Sequence, residues 1–300
     1  MKILITGGNG FLGAWITARL LARDFSVRIF DVVENRRLVD AIAGPKAASV
    51  TWHVGDITKQ EDVMAAAQGC DGIINLAGIL TPACTAEPVR GAMINYIGTL
   101  HVFEAARIHG IKRIIYTSSA GVFGAPEGSQ PYPVTHYGTA KLACEGSARA
   151  YWADHAIPSV GFRPFIVYGP GRETGMTAGP SLACRAAVHG DAYTIPYRGT
   201  AGMVFVDDVA AAYEHALLSE PDGARVFNVC GELASNEQIV DEIRRIVPDA
   251  KLAIDGPDTG IARDINDAPL FAAFPALPRT SLRDGIARTV EFYRQQRLNA

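Results

Sequence analysis

The chain is predicted to fold as a doubly wound α/β protein. Three observations carry this. The first half alternates short apolar runs with amphipathic stretches, a glycine-rich turn follows the first run at once, and Gly and Pro punctuate the chain after residue 168. Continuous apolar runs, unlike alternating ones, mark strands buried on both faces, so helices must cover both sides of a parallel sheet.

In order, residues 2–6 read as the first strand and 11–23 as the first helix. Strands follow at 27–30, 50–54 and 72–76, with a helical stretch at 61–67 between the last two. A long helix spans 89–109, a buried strand 113–117, a second long helix 135–155 and another strand 159–162. Residues 1–168 are thus expected to form one unit. Residues 169–300 are expected to be mainly a substrate-binding region of shorter elements, with one segment, about 203–230, packing back on the sheet through a helix at 207–218. An amphipathic helix at 281–296 comes last.

Composition narrows the function class. Over 300 residues, 48% are hydrophobic and 20% charged, with a formal net charge of -3. Nothing in that balance points to nucleic acid or an anionic membrane surface as partner. The apolar runs are strand-sized, which argues against a membrane span, and Lys2 leads straight into Ile3-Leu4-Ile5, which does not suit a signal peptide. Five scattered cysteines without CxxC spacing suit a reducing cytoplasm, and seven dispersed His residues form no metal-binding pattern.

The turn Thr6-Gly7-Gly8-Asn9-Gly10-Phe11-Leu12-Gly13 lies between the first strand and the first helix. Gly7 permits a tight turn, Gly10 lets backbone approach a pyrophosphate, and Gly13 lets the helix sit close to the strand. The N–H groups at Phe11 and Leu12 open a helix whose N-terminus favours anions. This is the Rossmann arrangement for a dinucleotide. Asp31 ends the second strand, where a carboxylate would accept from both adenosine ribose hydroxyls and repel a 2′-phosphate, so NAD is expected over NADP. Arg36 and Arg37 lie close by and read as a solvated helix start. Asp56-Ile57 and Leu76-Ala77-Gly78 follow the third and fourth strands, at the carboxyl ends where open α/β sheets bind ligands. Asp56 also reads as a cap for the segment starting at Thr58.

Tyr137-Gly138-Thr139-Ala140-Lys141 places a phenol and an ammonium on one helix face. A phenol near its reference pKa of ~10 is a poor base, and a fixed ammonium nearby favours the phenolate. Tyr137 can then exchange a proton with a substrate hydroxyl while hydride moves to or from a nicotinamide. Ser119, in Thr117-Ser118-Ser119 at the end of the preceding strand, can donate to the substrate oxygen. Asn95, within the 89–109 helix, is read as a support or kink near the site.

TGGNGFLG, Asp31, NLAG, the segment Asn95-Tyr96-Ile97-Gly98-Thr99, TSSAGVFG, YGTAK and RPFIVYGPG occur in this order. Together they resemble the extended short-chain dehydrogenase/reductase superfamily and, within it, the NAD-dependent epimerase/dehydratase family, over nearly the whole chain. The resemblance implies a Ser119, Tyr137, Lys141 triad supported by Asn95, with Pro164 of the RPF segment beside the cofactor. It also implies a homodimer formed through the two long helices.

The chain departs from that family's patterns at three places. Ala120-Gly121 stand where dehydratases carry an Asp-Glu pair, which argues against water elimination. Sugar-nucleotide epimerases tend to carry an Asn at the position of Ile166 and a diphosphate-binding Arg at that of Ala201, with Arg198 the nearest substitute. Arg172, Arg185 and Tyr197 remain as candidate substrate contacts. The sequence therefore leads to an NAD-dependent oxidoreductase interconverting a secondary hydroxyl and a ketone on a small sugar-like or hydroxy-acid substrate. A UDP-hexose 4-epimerase using tightly bound NAD is the alternative, and a non-catalytic dinucleotide sensor a second.

Overall fold

The computed structural model describes residues 1–124, 130–220, 222–258 and 265–298. Twelve strands are present among them: β1 (Lys2–Thr6), β2 (Ser26–Asp31), β3 (Thr51–Val54), β4 (Gly72–Asn75), β5 (Ile114–Thr117), β6 (Ser159–Pro164), β7 (Ile166–Tyr168), β8 (Tyr193–Ile195), β9 (Thr200–Phe205), β10 (Ala224–Val229), β11 (Glu232–Ser235) and β12 (Leu252–Ile254). Seven form one sheet in the order β10-β6-β5-β4-β1-β2-β3, every neighbouring pair parallel. Two small sheets, β11-β9-β7 and β12-β8, lie outside it.

The apolar runs serve both faces. Ile3 and Ile5 of β1, Ile74 of β4 and Ile115 of β5 belong to one core, whereas Leu4, Ile73 and Ile114 belong to the other. All seven are at most 2% exposed, so neither face can tolerate a polar residue, and hydrophobicity runs continuously along each strand. On the first face the Phe11–Ala22 helix packs against the Val206–Leu218 helix. On the second lie the Gln60–Ala67, Gly98–His109 and His136–His155 helices.

The C-terminal half is woven into the first. β10 extends the large sheet beside β6, with Val226 opposite Gly161 and Phe227 opposite Phe162. Arg19 donates to Asp207 at 2.8 Å and to Glu214 at 2.5 Å, and the Trp15 indole N–H donates to the Pro170 carbonyl at 3.0 Å.

The expected 89–109 helix is a composite. Pro88–Ala92 is α-helical, Met93–Ile97 is a π turn, and Gly98–His109 resumes the α-helix. The single extra residue of a π turn rotates Asn95 inward. Among the described residues no helix is long and apolar enough to cross a membrane. Nor do they contain a cluster of three or more His, Cys, Asp or Glu placed to hold a metal. All five cysteines are buried free thiols.

Candidate active site

The strand order reverses direction between β1 and β4, and the carboxyl ends of these strands open into two cavities. One, of about 400 Å³, is bounded by Asp31, Val32, Asp56, Ile57 and Ala77. The other, of about 430 Å³, is bounded by Phe11, Leu12, Gly13, Tyr137, Lys141 and Arg172. Gly7, Gly10, Leu76 and Gly78 line both, so the two form one elongated groove over the glycine-rich turn. A dinucleotide has this bipartite shape.

Gly7 adopts φ +68°, and a Cβ there would lie 2.7 Å from the Ala77 nitrogen. Only glycine lets the turn pass under the end of β4. The Phe11–Ala22 helix has neither a side-chain cap nor an acidic residue in its first turn. Its leading N–H groups therefore have no local competitor for a phosphate.

Asp31 is fixed by main-chain donors, Val32 N–H at 2.9 Å and Asn9 N–H at 3.2 Å. Burial holds its carboxyl above the usual aspartate range, against the opposing pull of those two donors. The Asn9 side chain also donates to the Val33 carbonyl at 2.5 Å, ordering the loop that presents Asp31. Arg36 is occupied elsewhere: it pairs with Glu34 at 3.4 Å and Asp40 at 3.7 Å and lies 5.7 Å from the Trp52 ring centroid. Arg37 is held by Glu173. With both cations engaged, neither is free to take a 2′-phosphate beside Asp31, and the residues fit NAD.

Asp56 accepts from the Thr58 N–H at 2.9 Å and its hydroxyl at 2.8 Å, bonds that hold its carboxyl below the usual range. It closes a turn ahead of the Gln60–Ala67 helix. The residue at the helix N-cap is Lys59, not Asp56. Pro164 ends β6 outside the two cavity walls, and Val167 of β7 lines the groove in its place.

The chemistry-bearing residues gather at the far end of the groove. Thr135 caps the His136–His155 helix by accepting from the Gly138 N–H at 3.0 Å, and this sets Tyr137 in the first turn. Lys141 is 4% exposed, donates to the Thr117 carbonyl at 2.8 Å, and has its ammonium 5.7 Å from the Tyr137 ring centroid. Ser119 caps the short Ala120–Val122 turn, its hydroxyl accepting from the Gly121 N–H at 3.0 Å. A point where Gly121 would carry a Cβ is 3.3 Å from Ser119 Oγ and 3.7 Å from the Tyr137 ring. Hydroxyl, phenol and ammonium thus converge.

Asn95 does not line the groove. It is fully buried, accepts from the Ile79 N–H at 3.1 Å and donates to the Ile79 carbonyl at 3.0 Å, bracing the Gly78–Ile79 backbone. Behind Ser119, Glu145 is fully buried and accepts twice from Arg163, at 2.7 and 2.6 Å, and once from the Ser118 hydroxyl at 2.5 Å. Sequence reasoning missed this pair, although Glu145 stands one helical turn beyond Lys141.

Of the three candidate substrate contacts, only Arg172 faces the groove. Its guanidinium donates to the Val167 carbonyl and, at 2.8 Å, to the Thr177 hydroxyl. No carboxylate among the described residues pairs with it, and burial pulls it down to about 10, so it stays cationic at neutral pH. Glu173, its neighbour in sequence, binds Arg37 and Arg185. Arg185 therefore points to that ion pair, and Tyr197 is a 6% exposed ring outside the groove walls.

Fold and site together define a dinucleotide-dependent enzyme of the extended short-chain dehydrogenase/reductase type. A sequence model described as the NAD dependent epimerase/dehydratase family matches residues 3–230, and the chain belongs to that family. It is 29% identical over 315 residues to the UDP-glucose 4-epimerase of Mycolicibacterium smegmatis, covering 99% of each chain. It is 30% identical over 190 residues to 3 beta-hydroxysteroid dehydrogenase type 7 of Mus musculus, covering 57% of this chain and 51% of that one. The solved structure of the Thermus thermophilus UDP-glucose 4-epimerase complex with NAD superposes with a TM-score of 0.84 at 24% identity, over 98% of this chain and 99% of that chain. NAD is the cofactor.

Proposed function

We propose that the enzyme is a UDP-sugar 4-epimerase. The observation that carries this reading is the end-to-end match to the M. smegmatis UDP-glucose 4-epimerase, 99% of both chains. Tyr137 and Lys141 at one end of the dinucleotide groove, with Ser119 on the adjoining turn, support it.

When bound, NAD supplies a hydride acceptor that can return the hydride. Tyr137 takes the proton of the substrate hydroxyl as the carbon is oxidised and gives it back after the ketone has turned its other face. Ser119 donates to the substrate oxygen in both directions. Lys141, held by the Thr117 carbonyl, orients the ribose and the phenol. Arg172 supplies positive charge for an anionic substrate group.

A second reading, net oxidation of a small sugar or hydroxy acid, is favoured by a specific pair of residues. Ile166 and Ala201 are each 1% exposed, in β7 and β9, and neither offers a polar group to a nucleotide diphosphate. Arg198 is tied to Asp255 at 3.0 Å. The two readings separate in one assay. Incubation with UDP-glucose should give UDP-galactose with no net change at 340 nm. Stoichiometric NADH without UDP-galactose, from a free sugar or hydroxy acid, would replace the first reading by the second.

A homodimer through the Gly98–His109 and His136–His155 helices is proposed on the family resemblance. Ile108 is 50% and Trp152 39% exposed on these helices, and sedimentation equilibrium tests it.

A further inference from the structure

The two walls of the groove are joined by charge at one place. Glu173, in the run after Gly171, accepts from both terminal nitrogens of Arg37, at 3.0 and 2.6 Å. Arg185, from the Gly179–His189 helix, approaches the same carboxylate at 3.8 Å. Arg37 opens the Arg37–Ala43 helix, which continues the loop that carries Asp31. The pair therefore links the ribose side of the groove to the substrate side, across 136 residues of sequence. Both Arg37 and Glu173 line the cavity that holds Gly10–Gly13 and Tyr137.

The rest of this wall is anchored. The Gly171 N–H donates to the Tyr293 hydroxyl at 3.2 Å, Pro170 accepts from Trp15, and a Cβ on Gly171 would lie 3.2 Å from Leu38. With those contacts fixed, the Glu173 ion pair is the bond that can open without disturbing the core: Arg37 is 59%, Arg185 43% and Glu173 30% exposed.

We infer that Glu173, held by Arg37 and Arg185, is a clasp over the dinucleotide groove that sets the rate at which cofactor leaves. The inference deepens the epimerase reading and rests on it for its purpose. An epimerase must keep the reduced cofactor between oxidation of the substrate and its re-reduction, whereas a dehydrogenase must let it go. Arg37 and Glu173 are thereby assigned to cofactor retention, and Arg185 to the same carboxylate from its other side.

The test is the dissociation rate of NADH from the pre-loaded protein, followed by its fluorescence during a chase with excess NAD and with no sugar present. An exposed bidentate pair is worth at most about 1 kcal/mol, which corresponds to about fivefold in rate. Glu173→Gln is expected to speed release two- to fivefold. Arg37→Gln should speed release as much, because Arg185 holds the carboxylate from the same wall and cannot bridge the groove, and Arg37→Lys should do less, because the second hydrogen bond alone is lost. The Arg37→Gln/Glu173→Gln double variant should release NADH no faster than Glu173→Gln. Raising salt from about 0.05 to 0.5 M should speed the wild type and leave Glu173→Gln unchanged. A wild-type release rate in Glu173→Gln, or additive single effects in the double variant, would overturn the clasp. Equal melting temperatures of the cofactor-free proteins exclude misfolding as the cause. A protein that passes this test yet makes no UDP-galactose would retain the clasp and lose the epimerase reading.

Discussion

Gly138 packs directly against Gly121: a methyl group on Gly138 would fall well inside van der Waals contact distance of the Gly121 carbonyl oxygen. This contact sets the helix bearing Tyr137 and Lys141 at a fixed distance from the turn bearing Ser119. A Gly138→Ala variant must push the two apart, and positioning losses of ~1 Å cost on the order of 100-fold in rate. The expected outcome is a fall in kcat of about that size with NAD affinity retained. Comparing kcat with NAD titration checks it, and an unchanged kcat would mean that the turn yields without consequence.

Tyr137→Phe removes the proton carrier and keeps the ring. Turnover should drop roughly a hundred- to ten-thousand-fold, the usual contribution of a general acid–base group. NAD binding by calorimetry should stay within about twofold of wild type. Turnover at the wild-type level would show that another group moves the proton.

Asp31 gives NAD affinity an acid limb. Its carboxyl is held above the usual aspartate value in the free protein, and ribose hydroxyls donate to its ionised form. Protonation therefore competes with binding. Affinity should weaken as pH falls toward the Asp31 pKa, beginning at a higher pH than an unperturbed carboxylate at 3.8 would dictate. An Asp31→Asn variant should bind NAD more weakly at neutral pH and lose this limb. A pH-independent Kd in the wild type would contradict the assignment.

The Glu145–Arg163 pair contributes to stability. Replacing either member leaves an uncompensated charge against the core, typically a cost of ~3–5 kcal/mol. Glu145→Gln should lower the melting temperature measurably, and it also loses the charged partner that the Ser118 hydroxyl uses. Calorimetric melting of the single variants against the Glu145→Gln/Arg163→Gln pair should show the double variant to be less destabilised than the sum.

Arg172→Gln tests the anion site. Loss of a charge-assisted hydrogen bond costs about 1.5–3 kcal/mol, roughly 10- to 100-fold. That loss should fall on KM for a UDP-sugar. A KM equal to the wild type would confine Arg172 to holding its own loop through Val167 and Thr177.

Much of the architecture was legible because strands buried on two faces have no room for polar residues. Ile3-Leu4-Ile5 can be read as a central strand before any contact is known. The glycine turn, Asp31 and the Tyr137/Lys141 spacing were legible because backbone geometry and helical period leave a residue-type signature. The π turn at Met93–Ile97 leaves none, since its distinguishing mark is one shifted hydrogen bond. Glu145 looked like an ordinary polar residue of a long helix, because its partner Arg163 comes from a separate strand. Arg37 read as solvated for the same reason: the carboxylate that holds it arrives 136 residues later. Pairings that tertiary folding creates between distant charges cannot be inferred from either member alone.

The placing of β10 at the edge of the large sheet, with the Val206–Leu218 helix covering the same face as the Phe11–Ala22 helix, bears on synthesis. A ribosome that has finished residue 168 has made the glycine-rich turn and the Tyr137/Lys141 pair, yet Ile16, Leu20 and Phe162 would still face water. The nascent chain gains a closed core only when Val229 has left the exit tunnel. Until then the face of the sheet that the Val206–Leu218 helix covers stays open to water.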